Sequence, residues 1–220
     1  MRPTDTQQAR SPADVSEMTL KREQLILGKP PRIQPLEMDE IADEALESIR
    51  NIRRATGNAN PMVSAADVPE VIRTLLRHAD LYQRIAAVSM QLIGSPALTP
   101  RDRELVILRT AWLCQAPYEW GEHVRVGKRC GLTGEEIERV TRGSSCSEWT
   151  EHERALLRAA DELHADAMIA DGTWEVLSRR LDDRQLFELT VVAGQFTTVA
   201  YFQNSLRVRL AADNIGLRAR

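Results

Sequence analysis

The chain has 220 residues, a formal net charge of −3, 43% hydrophobic and 28% charged residues. That length supports one domain with a substantial core, and the composition excludes wholesale disorder. The basic residues are scattered, which excludes a nucleic-acid footprint, and no apolar run reaches the roughly 18 residues of a membrane helix.

Residues 1–36 read as a partly irregular arm. Pro3, Pro12, Pro30, Pro31 and Pro35 interrupt helix and sheet ladders, leaving room for a short helix near Val15 to Leu27. Met1 to Leu20 is polar and lacks the apolar stretch of a secretory signal. Cys114, Cys130 and Cys146 are odd in number and widely spaced, so no disulfide framework is expected and the chain reads as cytoplasmic.

From Leu36 the periodicity is helical. Ile41, Ala45, Ile49 and Ile52 fall on one face, and Gly57 to Pro61 breaks the pattern. Ser64 and Asp67 resemble a capping box before Val71, Ile72, Leu75 and Leu76, and a helix follows over Tyr82 to Ile93. Thr99, Pro100 and Asp102 give the strongest start signal, opening a helix over 100–114. Pro117 fits poorly inside that helix and well at the start of another, over 117–130, ended by Gly131. Thr133 with Glu136, Thr150 with Glu153, and Asp182 with Gln185 open three further helices, and a short one follows Thr173. No strand or hairpin signal is present. The expected fold is all-α, a compact multi-helix bundle over 37–210, with a tail over 211–220.

Glu119 and His123 are four residues apart on one predicted helix, so they share a face. Glu119 also lies in the first turn, where the helix dipole favours its ionised form. A carboxylate that orients an imidazole is an acid–base couple, and Glu104 on the preceding helix meets it if the bend near Gln115 folds the helices back on each other. Glu and His at this spacing also occur as ordinary surface pairs. Gln195, Thr198 and Tyr201 interrupt an apolar helix, and Cys146 sits in a serine-rich loop that would expose its thiol.

The run Glu104-Leu-Val-Ile-Leu-Arg109, then Tyr118-Glu-Trp-Gly-Glu-His123-Val, then Gly131-Leu-Thr and Glu135-Glu-Ile137, resembles the carboxymuconolactone-decarboxylase and alkyl hydroperoxidase D superfamily. The resemblance implies the alkyl hydroperoxidase D-like fold and self-association as a homo-oligomer, commonly a trimer or hexamer. Its hydroperoxidase branch carries a CxxC pair whose two places fall on Ala116 and Glu119, so both thiols are missing and a disulfide-cycling peroxidase is disfavoured. The decarboxylase branch also lacks CxxC and keeps the interval from His123 to Gly131. That branch implies a cofactor-free lyase or isomerase acting on a small acidic or aromatic-derived metabolite, without metal. His123, Glu119 and Glu104 are its expected catalytic residues. Tyr118, Trp120, Arg109, Gln195 and Tyr201 are expected to bind substrate, with Arg125 an alternative anion partner. A non-catalytic ligand-binding member of the family is the remaining alternative.

Overall fold

A computed structural model of the chain describes residues 12–55 and 64–220. The predicted break at Gly57 to Pro61, and the side chain of Ile52, lie outside the described residues. Among those described there are ten α-helices, short 3-10 turns and no strand. The helices are α1 (Pro12–Leu27), α2 (Asp43–Ala55), α3 (Glu70–Leu75), α4 (Ala79–Gly94) and α5 (Pro100–Leu113). They continue with α6 (Pro117–Arg129), α7 (Gly134–Arg142), α8 (Glu151–Asp166), α9 (Asp171–Ser178) and α10 (Asp183–Leu206). No described helix is long and apolar enough to cross a membrane.

The starts are set by local chemistry. Thr99 caps α5 by accepting from the Asp102 amide, with Pro100 at the first position. Thr133 and Glu136, Thr150 and Glu153, and Asp182 and Gln185 form reciprocal capping boxes on α7, α8 and α10. The α9 helix begins at Asp171, two residues before the predicted Thr173. Its start is held from outside: Glu162 of α8 accepts from the Ala170 amide at 2.9 Å and the Thr173 hydroxyl at 2.8 Å.

Two apolar clusters form. The smaller joins Ile41, Leu46, Ile49, Val68, Leu76 and Tyr82 around α2 to α4. The larger surrounds α5, which is buried from Arg103 to Trp112 without a solvent face and packs against α6, α8 and α10. Full burial on all sides is the signature of a central helix. The chain leaves α5 through Gln115, whose φ of 49° is left-handed, and re-enters a helix at Pro117. The α6 helix therefore folds back along α5, with Trp112 and Trp120 meeting near the bend at 5.0 Å between ring centres.

Both ends of the described chain are docked on this hairpin. Arg22 of α1 donates to the Gln115 carbonyl at 3.1 Å, and Glu23 accepts from the Leu217 amide at 2.8 Å. In residues 211–220, Leu217 is fully buried, the Trp120 indole donates to the Ala219 carbonyl at 3.0 Å, and the Arg220 guanidinium covers both Trp112 and Trp120. The last ten residues are thus docked on the core through Asn214, Gly216, Leu217 and Ala219, with Ala212, Asp213, Ile215 and Arg218 exposed. Gly121 makes this docking possible: a Cβ there would lie 1.8 Å from Asn214 Oδ1.

Candidate active site

The α5–α6 hairpin brings together two side chains of the predicted set, Glu104 and His123, and one that the sequence reading left out, Arg103. Glu104 is fully buried on α5, and its Oε2 lies 2.8 Å from His123 Nδ1 on α6. Its Oε1 accepts from Arg103 Nε at 3.1 Å. Phe196 of α10 meets the imidazole edge-on, with ring centres 4.9 Å apart. His123 keeps 11% of its side chain exposed, so the ring has contact with the outside while Nδ1 is engaged. Burial pushes the Glu104 carboxyl up, but His123 and the Arg103 guanidinium together outweigh it and hold the group below the usual carboxylate range.

The expected Glu119–His123 couple is not formed. Glu104 takes the imidazole instead, and both Glu119 carboxyl oxygens are buried without a hydrogen-bond partner. The expectation that Glu119 is ionised is also corrected, because burial pushes its carboxyl well above the normal range. A helix N-terminus favours a carboxylate by about 0.3–1 kcal/mol when exposed, whereas desolvating an unpaired charge costs several. Burial wins, and Glu119 is a neutral acid one turn before His123. The Glu104 and Glu119 carboxyls are therefore driven in opposite directions.

Cys114, at the end of α5, lies within electrostatic reach of Glu119, which carries a charge only once its raised carboxyl ionises. Burial and Glu119 push its thiol up to about 11, against an opposing hydrogen bond with Thr197 and the charge of Arg22. An open groove of about 430 Å³ runs past it, lined by Met18, Arg22, Leu25, Leu113, Cys114 and Gln115. Glu104 and His123 are not part of that lining. Cys146 is buried, its thiol directed at the Arg139 carbonyl 3.9 Å away, and is not the exposed thiol its loop position foretold.

The expected substrate-binding residues are dispersed. Arg109 is buried in a clamp, with Nε 2.5 Å from Asp161 and Nη1 donating to the Val140 and Thr141 carbonyls at 2.9 and 3.0 Å. It ties α5 to α7 and α8. Trp120 is locked under the C-terminal segment. Gln195 joins α10 to α4 through Ser89 Oγ at 3.0 Å, and Tyr201 is 64% exposed. Tyr118 is half-buried among Glu122, Arg125 and Glu70, and burial followed by Glu122 pushes its phenol up to about 12. Arg125 is taken by Glu122 and Asp213. Thr198 bonds back to the Gly194 carbonyl at 3.1 Å. Among the described residues no three His, Cys, Asp or Glu side chains are arranged to hold a metal.

Arg103 was the residue sequence reasoning missed. Its only signal was a charge placed next to Glu104 on a helix otherwise destined for the core. Arg101, three residues before Glu104 on the same helix, pairs with Glu136 and with Glu153 at 2.7 Å.

Residues 79–162, which contain this hairpin, match the model of the carboxymuconolactone decarboxylase family. That segment is under half of the chain, and it is similar to that family. The chain's alkyl hydroperoxidase D-like fold is shared with solved structures. A peroxidase-related protein from Ralstonia eutropha with an alkylhydroperoxidase AhpD core is 17% identical, with TM-score 0.69, covering 84% of this chain and 95% of that one. A peroxidase-related protein from Silicibacter is 18% identical, with TM-score 0.67, covering 84% and 96%. The debrominase Bmp8, solved as a Cys-to-Ala variant with 2,3,4-tribromopyrrole, is 13% identical, with TM-score 0.67, covering 84% and 94%. At these identities the likeness is one of fold. No curated protein matches the sequence significantly.

Proposed function

We propose that this carboxymuconolactone decarboxylase-like protein is a cofactor-free lyase or isomerase that moves a proton on a small acidic or aromatic-derived metabolite. The observation that carries the reading is the split between Glu104 and Glu119. Glu104 lies against the imidazole and Glu119 one turn before it on α6, and the two buried carboxyls are pushed apart in proton affinity, a split that acid–base chemistry can use. Ionised Glu104 fixes the Nδ1–H tautomer of His123. The Nε2 atom is then the exchange position, with neutral Glu119 a second donor nearby.

In a decarboxylation the carbon–carboxylate bond breaks, carbon dioxide leaves, and the electron pair is delocalised over the remaining unsaturated acid. The carbon then takes a proton from Nε2 of the His123 imidazolium, which is left as the neutral Nδ1–H ring and regains its Nε2 proton from water. In an isomerisation the same atom removes a proton from one carbon and returns it to another. Arg103 cancels the charge of Glu104, so an anionic substrate is not repelled. A fold relative that holds 2,3,4-tribromopyrrole accords with an aromatic-derived substrate.

Peroxide reduction by Cys114 is the weaker reading. A thiol with a pKa of about 11 is roughly one part in ten thousand thiolate at pH 7. Non-catalytic binding of a ligand in the groove beside Cys114 is the alternative outcome. Self-association as a trimer or hexamer belongs to the proposal and is checked by the mass in solution; Phe187 and Tyr201, 71% and 64% exposed on α10, are its most apolar offering.

The test is turnover in deuterium oxide over a panel of lactone and enol acids, carboxymuconolactone among them. Deuterium should enter the product at carbon with the native chain, and His123→Ala should abolish turnover while leaving the helical spectrum intact. Normal turnover by His123→Ala removes the proposal.

A further inference from the structure

Arg103 is among the most deeply buried charges of the core, 4% exposed on a helix with no solvent face. Its neighbours give it one evident task. Arg103 Nε holds Glu104 Oε1 at 3.1 Å, leaving Oε2 for His123 Nδ1 at 2.8 Å. Glu104 is thus bridged between a permanent cation and a titratable ring. A buried carboxylate with one oxygen free could rotate or take up a proton; with both engaged it does neither easily.

We propose that Arg103 is a positioning residue for the acid–base site: it fixes Glu104 Oε2 on His123 Nδ1, and its permanent charge opposes uptake of a proton by the Glu104–His123 pair as a whole. The inference rests on the acid–base reading of His123 for its functional meaning, and on the buried Arg103–Glu104–His123 row alone for its physics.

Removing a permanent positive charge from beside a buried pair makes the pair bind its proton more tightly. That holds whichever partner carries the proton, because the charge acts on the sum of the two. The other titratable or charged groups near the pair are Glu119, one turn away on α6, and Cys130 at the end of α6, whose thiol feels both Glu104 and Arg103. From α10 the pair meets the apolar Phe196. Glu119 is neutral by burial, so Arg103 is the cation that tunes the pair.

The experiment is an NMR titration of the histidine ring signals in the full chain without substrate. The His123 signal is assigned by its loss in His123→Ala. Arg103→Met and Arg103→Gln should raise the apparent titration point of His123 by about one pH unit, as expected for a unit charge several ångströms away in partly buried surroundings. Arg103→Lys, which keeps the charge, should stay within a few tenths of a unit of the native chain. Should Arg103→Met fail to fold, the difference between Arg103→Gln and Arg103→Lys decides. An unchanged or lowered titration point in Arg103→Gln overturns the inference. If the shift is found while His123→Ala retains turnover, the tuning by Arg103 stands and the acid–base function falls.

Discussion

Replacing Glu119 with Gln should change the pH dependence of stability, favouring the variant increasingly over the native chain as pH rises. Both Glu119 oxygens are buried and unpartnered, and burial pushes the carboxyl well above its ordinary value. The unfolded chain releases this proton near pH 4.3, whereas the native protein retains it. Between those two values the native state binds one more proton than the unfolded state, so stability falls by about 1.4 kcal/mol for each unit of pH. The Glu119 contribution is therefore fully present below about pH 4.3 and lost as pH rises toward the native value. Gln has nearly the same shape and cannot ionise, so the variant is spared that slope. Urea or guanidinium unfolding of both proteins at pH 5, 6 and 7 measures the effect. The stability of Glu119→Gln relative to the native chain should rise with pH, by at most about 1.4 kcal/mol per unit while the native carboxyl keeps its proton. Parallel pH profiles would refute the reasoning, because they would mean that Glu119 ionises in the fold at its ordinary value.

The Glu104 carboxyl carries the opposite sign. Its native pKa is lowered, so its contribution is present above about pH 4.3 and lost as pH falls through the native value. Glu104→Gln removes the charge that compensates buried Arg103 and should cost about 3 kcal/mol at pH 7, with a flatter acid limb in the unfolding profile. Gly121→Ala should cost about 1–2 kcal/mol despite the better helix propensity of Ala. The Asn214 amide it would strike cannot swing away freely, since its nitrogen donates to Tyr118 O and Glu122 Oε1 and its oxygen accepts from the Gly216 amide. Limited proteolysis should cut the C-terminal segment of that variant faster than in the native chain, and equal rates would argue against the docking role of Gly121.

Most of the helical architecture was legible because its signals are local. A cap and the amide it satisfies are three residues apart, so Thr99, Thr133, Thr150 and Asp182 announce their helices without reference to anything distant. Pro117 and Gly131 bound α6 by the same logic. The start of α9 was misplaced because Glu162, eight or more residues away, supplies the bonds that a local cap would have made. The candidate residues Glu104, Glu119 and His123 came from the sequence through spacing and resemblance to a family, and the structure joins two of them, Glu104 and His123. Their partnerships were not legible. Helical spacing put Glu119 beside His123, but the crossing of α5 over α6 delivers Glu104 to the ring and leaves Glu119 in an apolar shell. On a helix buried all round, periodicity cannot say which of Arg101, Arg103 and Arg109 meets Glu104, since phase distinguishes faces only when one of them is wet. Sequence by itself determined where the helices lie and which ionisable groups the hairpin would carry. Only the tertiary structure decided which of those groups keep their charge, because ionisation depends on water and on counter-charges brought in from other helices.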